Sequence, residues 1–399
     1  MDQPWWETSS FRIESDRLTL DGHSIRDLAR EHGTPLYVYS APTVRRQVEQ
    51  IEQALRSTGC PFRIYYALKA NRSSGVLQTL RAQGWVGIDA CSPREVVHAL
   101  SHGFPRSSIS VTAGMLSNRD LDLLVAEGVH MNLDSFSALQ RYAARVAPGS
   151  HVGLRLNPGV EIGYGGRAKV AYGNSKFGFY RDDVQRALQV AMDLDLVVDT
   201  LHIHCGWGIP QDALPLFEQA LAELAAVAAQ VRSLEVLNVG GGLGARQQES
   251  DTPLALDDWA KALWKHLGPL GKTLACELGT QVVAHAGVLV TEVNTVEIKG
   301  DRTWVGVDAG HNVNVYPAHY GIPLEIIAVD RPLAPAQVCY TVAGNLNESV
   351  DMFAFDRVLP ELAEGDLVAF FPAGAYGASM ASDHCMRGWA KEVVVEPLV

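Results

Sequence analysis

Lys69 closes a short apolar run, Ile64-Tyr65-Tyr66-Ala67-Leu68, and is followed by Ala70-Asn71. A lysine at the end of a buried strand loses water. Desolvation lowers an amine's pKa and makes it a nucleophile for carbonyls, an aldehyde cofactor included. In isolation an exposed lysine in a βα loop is the more ordinary reading of the same residue. Val236-Leu237-Asn238-Val239 runs into Gly240-Gly241-Gly242-Leu243-Gly244. Consecutive glycines let backbone N–H groups approach an anion such as a phosphate. No Lys-Ser/Thr follows, so this is not a Walker loop, and it is not a dinucleotide fingerprint. His202-Ile203-His204-Cys205-Gly206 ends another apolar run. Two histidines so spaced can hold a metal. In barrel hydrolases such a pair closes the first strand, whereas this one falls halfway along the chain. A place beside a cofactor suits it better, and no metal site is expected. Glu277, in Cys276-Glu277-Leu278-Gly279-Thr280, is a carboxylate able to hold a proton on a cofactor's ring nitrogen.

These residues need strands to carry them. Short Val-, Ile- and Tyr-rich runs alternate with helical patterns from Leu36 to Glu277. Strands are expected at Leu36–Tyr39, Ile64–Leu68, Val86–Asp89, Ser108–Thr112, His130–Asp134, Val152–Leu156, Val197–His202, Val236–Val239 and Thr273–Glu277. Helices are expected at Ala41–Arg56, Ser74–Gln83, Arg94–Ser101, Asn118–Glu127 with Ser117 as N-cap, Ser137–Arg145, Arg181–Met192, Leu214–Arg232 and Leu256–His266. Eight or nine βα units imply parallel strands and fit a (β/α)8 barrel, whose chemistry gathers at the C-terminal strand ends. Beyond Glu277 the pattern turns to strands: Val282–Ile298, Thr303–Val307, Leu324–Ile327, Gln337–Val342, Asp366–Phe371 and Glu392–Glu396. This predicts an α/β chain with a barrel domain over 36–280. A β-rich, Greek-key-like barrel domain follows, built from 1–35 plus 281–399, with Phe11–Asp21 as a joining strand.

The composition narrows the classes. Hydrophobic residues are 47% and charged residues 20% of 399, so the chain is globular. Lys plus Arg is 33 against 45 for Asp plus Glu, a net charge of −12, the wrong sign for a phosphate-neutralising nucleic-acid binder. The six cysteines are widely spaced without a CxxC pair, which suits reduced thiols. The opening MDQPWWETSSFRIESD lacks a basic start and an apolar stretch, and no window reaches the length of a membrane helix. A cytoplasmic protein without a membrane partner is the expectation.

Taken in order, the motifs resemble fold-type III pyridoxal-phosphate-dependent decarboxylases of the ornithine/diaminopimelate/arginine family, nearest the diaminopimelate decarboxylase-like branch. Tyr66-Ala67-Leu68-Lys69-Ala70-Asn71 is similar to that family's lysine motif. Asp89-Ala90-Cys91-Ser92 with Glu95, Arg155-Leu156-Asn157-Pro158, Ser175-Lys176-Phe177-Gly178, His202–Gly206, Gly240–Gly244, Glu277–Gly279, Asp308-Ala309-Gly310, Glu348-Ser349, Asp356-Arg357 and Ala373–Met380 follow in the family's order. The resemblance covers nearly the whole chain. It implies that Lys69 holds pyridoxal 5'-phosphate through its amine, His204 stacks on the ring, and Glu277 pairs with the ring nitrogen. It further implies that Gly241, Gly242 and Tyr376 hold the phosphate, with Asp89 and Arg155 in support. Asn347, Glu348 and Tyr376 would lie near a site shared across a head-to-tail homodimer. Thr280, Tyr316, Tyr320, Glu348 and Tyr376 would face the substrate.

Departures from that pattern reshape the expected chemistry. Asn347 stands where the family has a proton-donating cysteine, and an amide is a poor acid. Cys385, His384 and Cys205 are the candidates to replace it. Thr280 and Tyr316 stand where arginines hold a distal carboxylate, and neither offers a planar fork. Trp207 replaces a small phosphate-contacting serine, and His384 and Cys385 replace Tyr and Asn. The implied activity is α-decarboxylation of an amino acid or amino-acid conjugate other than diaminopimelate, in a specialised siderophore- or antibiotic-type pathway. A different carbanion outcome such as racemisation, and a silent cofactor-binding homologue, are the alternatives.

Overall fold

The computed structural model describes residues 4–165 and 175–398. Eight parallel strands close into a barrel: Phe62–Ala67, Val86–Ala90, Ile109–Thr112, His130–Leu133, Ser150–Arg155, Leu196–His202, Val236–Asn238 and Thr273–Leu278. The eighth pairs with the first, Glu277 opposite Tyr65, which seals the ring. Helices Ser74–Arg81, Pro93–Ser101, Asn118–Glu127, Phe136–Ala143, Val184–Asp193, Leu214–Ala228 and Leu256–Leu267 wrap it. Their limits differ from the expected ones by a few residues at frayed ends. Local chemistry explains their starts. Ser117 Oγ accepts from the Asp120 N–H at 3.1 Å, and Asp120 Oδ2 accepts from the Ser117 N–H at 3.0 Å, a complete capping box. Helix Ala41–Arg56 begins on Ser40, which caps the Thr43 N–H, and buries Val44, Val48, Ile51 and Leu55 along one stripe.

Leu36–Ser40 corrects the expected strand count. It does not enter the barrel but pairs antiparallel with Gly287–Lys299 and parallel with Lys391–Val395. All five of its residues are buried, so its run reads like a barrel strand. Its alternation has a different cause. Leu36 and Val38 face a second core with Phe11, Val288 and Phe371, while Tyr37 and Tyr39 face the main core. The β-rich part is a sheet ordered Glu325–Ala328, Leu367–Phe371, Gly287–Lys299, Arg302–Val307, Val338–Ala343 and Met352–Leu359, with Leu36–Ser40 and Lys391–Val395 off its path.

Two further expectations are revised, and one strand is added. The strand placed from Val282 starts at Gly287, because Thr280–Val283 and Ala284–Ala286 are helical turns. Phe11–Asp21 is not one joining strand but the hairpin Phe11–Glu14 and Arg17–Leu20, extended by His23–Ser24 into its own small sheet. Met352–Leu359 is a strand that the charged pair Asp356-Arg357 conceals from its sequence pattern. Among the described residues no helix is long and apolar enough to cross a membrane.

Candidate active site

The C-terminal strand ends surround a cavity of about 460 Å³. Lys69, Arg155, His202, His204, Gly241, Gly242, Glu277, Thr280, Tyr316, Tyr320 and Tyr376 all line it. Lys69 arrives on a tight turn, Leu68–Ala70, whose flanking side chains are buried and leave the lysine facing the mouth. The 373–380 segment of the β-rich part clamps this turn. The Tyr376 N–H donates to the Ala70 carbonyl at 2.7 Å, and Asn71 Nδ2 donates to the Gly374 carbonyl at 2.9 Å. Tyr376 holds a left-handed φ of 57°, which costs an L-residue about 1 kcal/mol and is sustained by that clamp.

Lys69 Nζ lies 3.0 Å from Asp89 Oδ2 and 3.5 Å from Cys91 Sγ. This reverses the expected direction of its pKa. Desolvation acts to lower it, but the surrounding groups Asp89, Cys91, Tyr376 and Glu277, Asp89 foremost, together outweigh it and hold the amine well above its ordinary value. The lysine therefore waits as an ammonium ion. Burial and the Glu277 charge push the Asp89 carboxyl upward, and Lys69 pulls it back. Asp89, expected in support of the lysine, is the next-to-last residue of the second strand, directly opposite Ala67 in the parallel register.

Glu277 is nearly inaccessible. Thr112 Oγ1 and Asn238 Nδ2 donate to its Oε1 at 2.9 and 2.8 Å, and His202 Nε2 lies 2.9 Å from Oε2. Burial alone would raise its pKa. His202, Lys69 and Thr112 outweigh burial and keep it well below the usual carboxylate range. The two histidines of the HxH motif therefore part. His202 turns to Glu277, and His204 faces the cavity with Nδ1 accepting from the Gly241 N–H at 3.1 Å. Burial, with the charges of Arg155 and Lys69, pushes the His204 pKa well down, so the ring is neutral. The glycine loop lies tight against the eighth strand: a Cβ at Gly241 would sit 2.3 Å from the Glu277 carbonyl oxygen.

The far wall is aromatic. Trp207 Nε1 donates to Thr280 Oγ1 at 2.8 Å. The Tyr316 ring meets Trp207 edge-on at 5.9 Å and stacks on Tyr376 at 6.3 Å. Tyr316 comes from a single π-helical turn, Tyr316–Tyr320, and its buried hydroxyl has no partner among the described residues.

Not every expected residue reaches the cavity. Asn347, Glu348 and Cys385 are exposed and do not line it in this chain. His384, also outside, lies 3.0 Å from Glu348. Cys205 is fully buried away from the lining. Cys91, unremarked as an acid from sequence, does line it, and burial pushes its thiol up to about 12. Its signal was adjacency: it stands two residues after Asp89 at the same strand end.

A family profile described as "Pyridoxal-dependent decarboxylase, pyridoxal binding domain" matches residues 42–287. The chain belongs to the pyridoxal-dependent decarboxylases. Among relatives, diaminopimelate decarboxylase of Methanothermobacter thermautotrophicus is 35% identical over 96% of this chain and 91% of its own. That of Pseudomonas aeruginosa is 33% identical over 97% and 94%. Diaminopimelate decarboxylase from M. jannaschii, solved with L-lysine, superposes with a TM-score of 0.88 at 26% identity, covering 97% of this chain and 93% of that one. The Helicobacter pylori enzyme, also with L-lysine, gives 0.85 at 27%, covering 94% of each. The chain is thus a fold-type III decarboxylase of the diaminopimelate decarboxylase-like branch, a carboxy-lyase whose cofactor is pyridoxal phosphate. The residues present fit that group. An amine, a buried ionised carboxylate and a glycine cradle with no room for a Cβ face one cavity.

Proposed function

We propose that this pyridoxal-dependent decarboxylase removes the α-carboxylate of an amino acid or amino-acid conjugate whose far end carries no carboxylate. Diaminopimelate is then not its substrate, although its relatives bear that name, and its product belongs to a specialised pathway. The observation that carries this reading is the far wall. Thr280 is occupied by the Trp207 indole N–H, Tyr316 lines the cavity edge-on to Trp207, and neither offers a cation. Among the described lining residues the cations are Lys69, beside Asp89, and Arg155 and Lys176, against the Phe177 ring. Two bidentate ion pairs cannot be replaced by a threonine and a phenol.

Lys69 would hold the cofactor, with Asp89 restoring the proton on its amine whenever substrate releases it. Glu277 would face the ring nitrogen and His204 the ring. Gly241, Gly242 and Tyr376 would hold the phosphate, a role for which the Gly241 N–H must leave His204 Nδ1. Pyridoxal phosphate supplies the electron sink for the bond pair left behind by carbon dioxide. On the lysine side, the Lys69 ammonium and the protonated Cys91 thiol are the proton donors at the cavity, 3.5 Å apart. The exposed Asn347, Glu348 and Cys385 would serve the site of a partner copy in a homodimer.

The test is carbon dioxide release from a panel of amino acids with anionic, cationic, neutral polar and aromatic far ends. Substrates lacking a distal carboxylate should exceed diaminopimelate in kcat/KM by at least about 100-fold, the worth of a lost charge-assisted pair. Diaminopimelate turnover matching that of the best substrate would refute the reading. Tyr316→Phe and Trp207→Ser should alter KM for the preferred substrate more than kcat.

A further inference from the structure

His202 sits behind the carboxylate that faces the cofactor cavity. Its ring is fully buried, and its Nε2 stands 2.9 Å from Glu277 Oε2. The other two donors to Glu277 are both on Oε1, and their protons are fixed by what lies behind them. Thr112 Oγ1 accepts from Asn132 Nδ2 at 2.8 Å, so its own proton is free to point at Glu277. Asn238 Oδ1 accepts from the Gly240 N–H at 2.9 Å, which turns its amide nitrogen to the carboxylate. Oε2 depends on His202 for its donor among the described residues.

The protonation of that ring follows from its surroundings. An ionised carboxylate can only accept, so Nε2 carries a proton. Nδ1 is buried and has no partner among the described residues. An imidazolium would therefore bury a charge and an unpaired donor, whereas the neutral ring leaves only a bare acceptor. A neutral donor also differs functionally from a cation at this place. A cation would cancel the Glu277 charge and weaken its hold on a proton at the ring nitrogen. A neutral N–H keeps the carboxylate ionised and leaves its charge uncompensated.

We propose that His202 is a positioning residue of the decarboxylase: its neutral imidazole fixes Glu277 Oε2 and keeps that carboxylate ionised for the ring nitrogen of pyridoxal phosphate. Both histidines of the motif border the cavity, but the first acts through Glu277, to which its Nε2 is bonded. This rests on the role given above to Glu277, so both are tested together.

The experiment compares holoenzyme absorption spectra across pH, and cofactor Kd, for the wild type, His202→Gln, His202→Leu, Glu277→Gln and the His202→Leu/Glu277→Gln double variant. His202→Leu should move the pH at which the yellow band is lost by about one unit and weaken cofactor binding roughly tenfold, the scale of one hydrogen bond to a charge. His202→Gln, which keeps an N–H donor, should stay within about threefold of wild type. In the Glu277→Gln background His202→Leu should add nothing, because its effect passes through the carboxylate. An unchanged spectrum and Kd in His202→Leu, or equal shifts in both backgrounds, would overturn the proposal. A Glu277→Gln variant with a wild-type spectrum would instead overturn the role of Glu277 itself. Nitrogen-15 NMR of wild-type holoenzyme gives a test that no folding defect can obscure. His202 should be neutral and protonated on Nε2 between about pH 6 and 9, and an imidazolium there would contradict the proposal.

Discussion

Two carboxylate–histidine groups lie inside this barrel, at different depths. Toward the N-terminal ends of the strands, Asp199 sits between His130 Nε2 at 2.9 Å and His151 Nδ1 at 2.8 Å. At the mouth, Glu277 meets His202 Nε2 at the same 2.9 Å. The distances match, but the surroundings do not. The lower histidine side chains are 30% and 54% exposed, whereas His202 and Glu277 are 0% and 5% exposed. Water screens the lower group, so it is worth a little stability. Burial leaves the upper group far less screened, so its charge acts more strongly on whatever enters the cavity. One residue pairing thus serves stability at one end of the barrel and chemistry at the other.

Neutralising each carboxylate should separate the two. Glu277→Gln should cut turnover by about 10²-fold or more, as loss of a preorganised charge does in other enzymes. Asp199→Asn should leave turnover unchanged and lower the urea midpoint by the equivalent of about 1 kcal/mol, a figure already discounted for the exposure of His151. Equal losses of turnover in the two variants would erase the contrast.

Acid sharpens it further. Burial acts to raise the Asp199 pKa, but the bonds from His130 and His151 outweigh it, so the folded value is depressed. The stability from this carboxylate is therefore present above its unfolded pKa of about 3.9 and is lost as pH falls through the lower folded value. Asp199→Asn should flatten the decline of stability below about pH 4. Unfolding midpoints that fall with acid as steeply in the variant as in the wild type would remove Asp199 from this account.

A comparable loss of stability belongs to a site remote from both groups. Ser117→Ala should cost about 1 kcal/mol through loss of the cap on helix Asn118–Glu127, with kcat and KM unchanged.

Features carried by local pattern were legible from the chain. Ser117 announced its helix, the apolar stripe of Ala41–Arg56 announced another, and the alternation of strands and helices announced the barrel. Lys69, His204, Glu277 and the glycine loop were placed at strand ends because strand ends are local features. Long-range pairing was hidden. Leu36–Ser40 is buried on both faces, and nothing in five residues tells a barrel strand from one shared between two cores. The direction of the Lys69 pKa depended on Asp89, 20 residues away, and became visible only with the register of neighbouring strands. His202 and Glu277 are 75 residues apart, and the HxH spacing hides that its two rings point to different partners.

The central claim is that the barrel mouth binds pyridoxal phosphate through Lys69. The most direct measurement is the visible spectrum of purified protein before and after borohydride, with peptide mapping of the reduced adduct. The account predicts a yellow protein whose colour is discharged and whose adduct maps to Lys69. A protein that takes up no added cofactor, or an adduct on any other lysine, would contradict it.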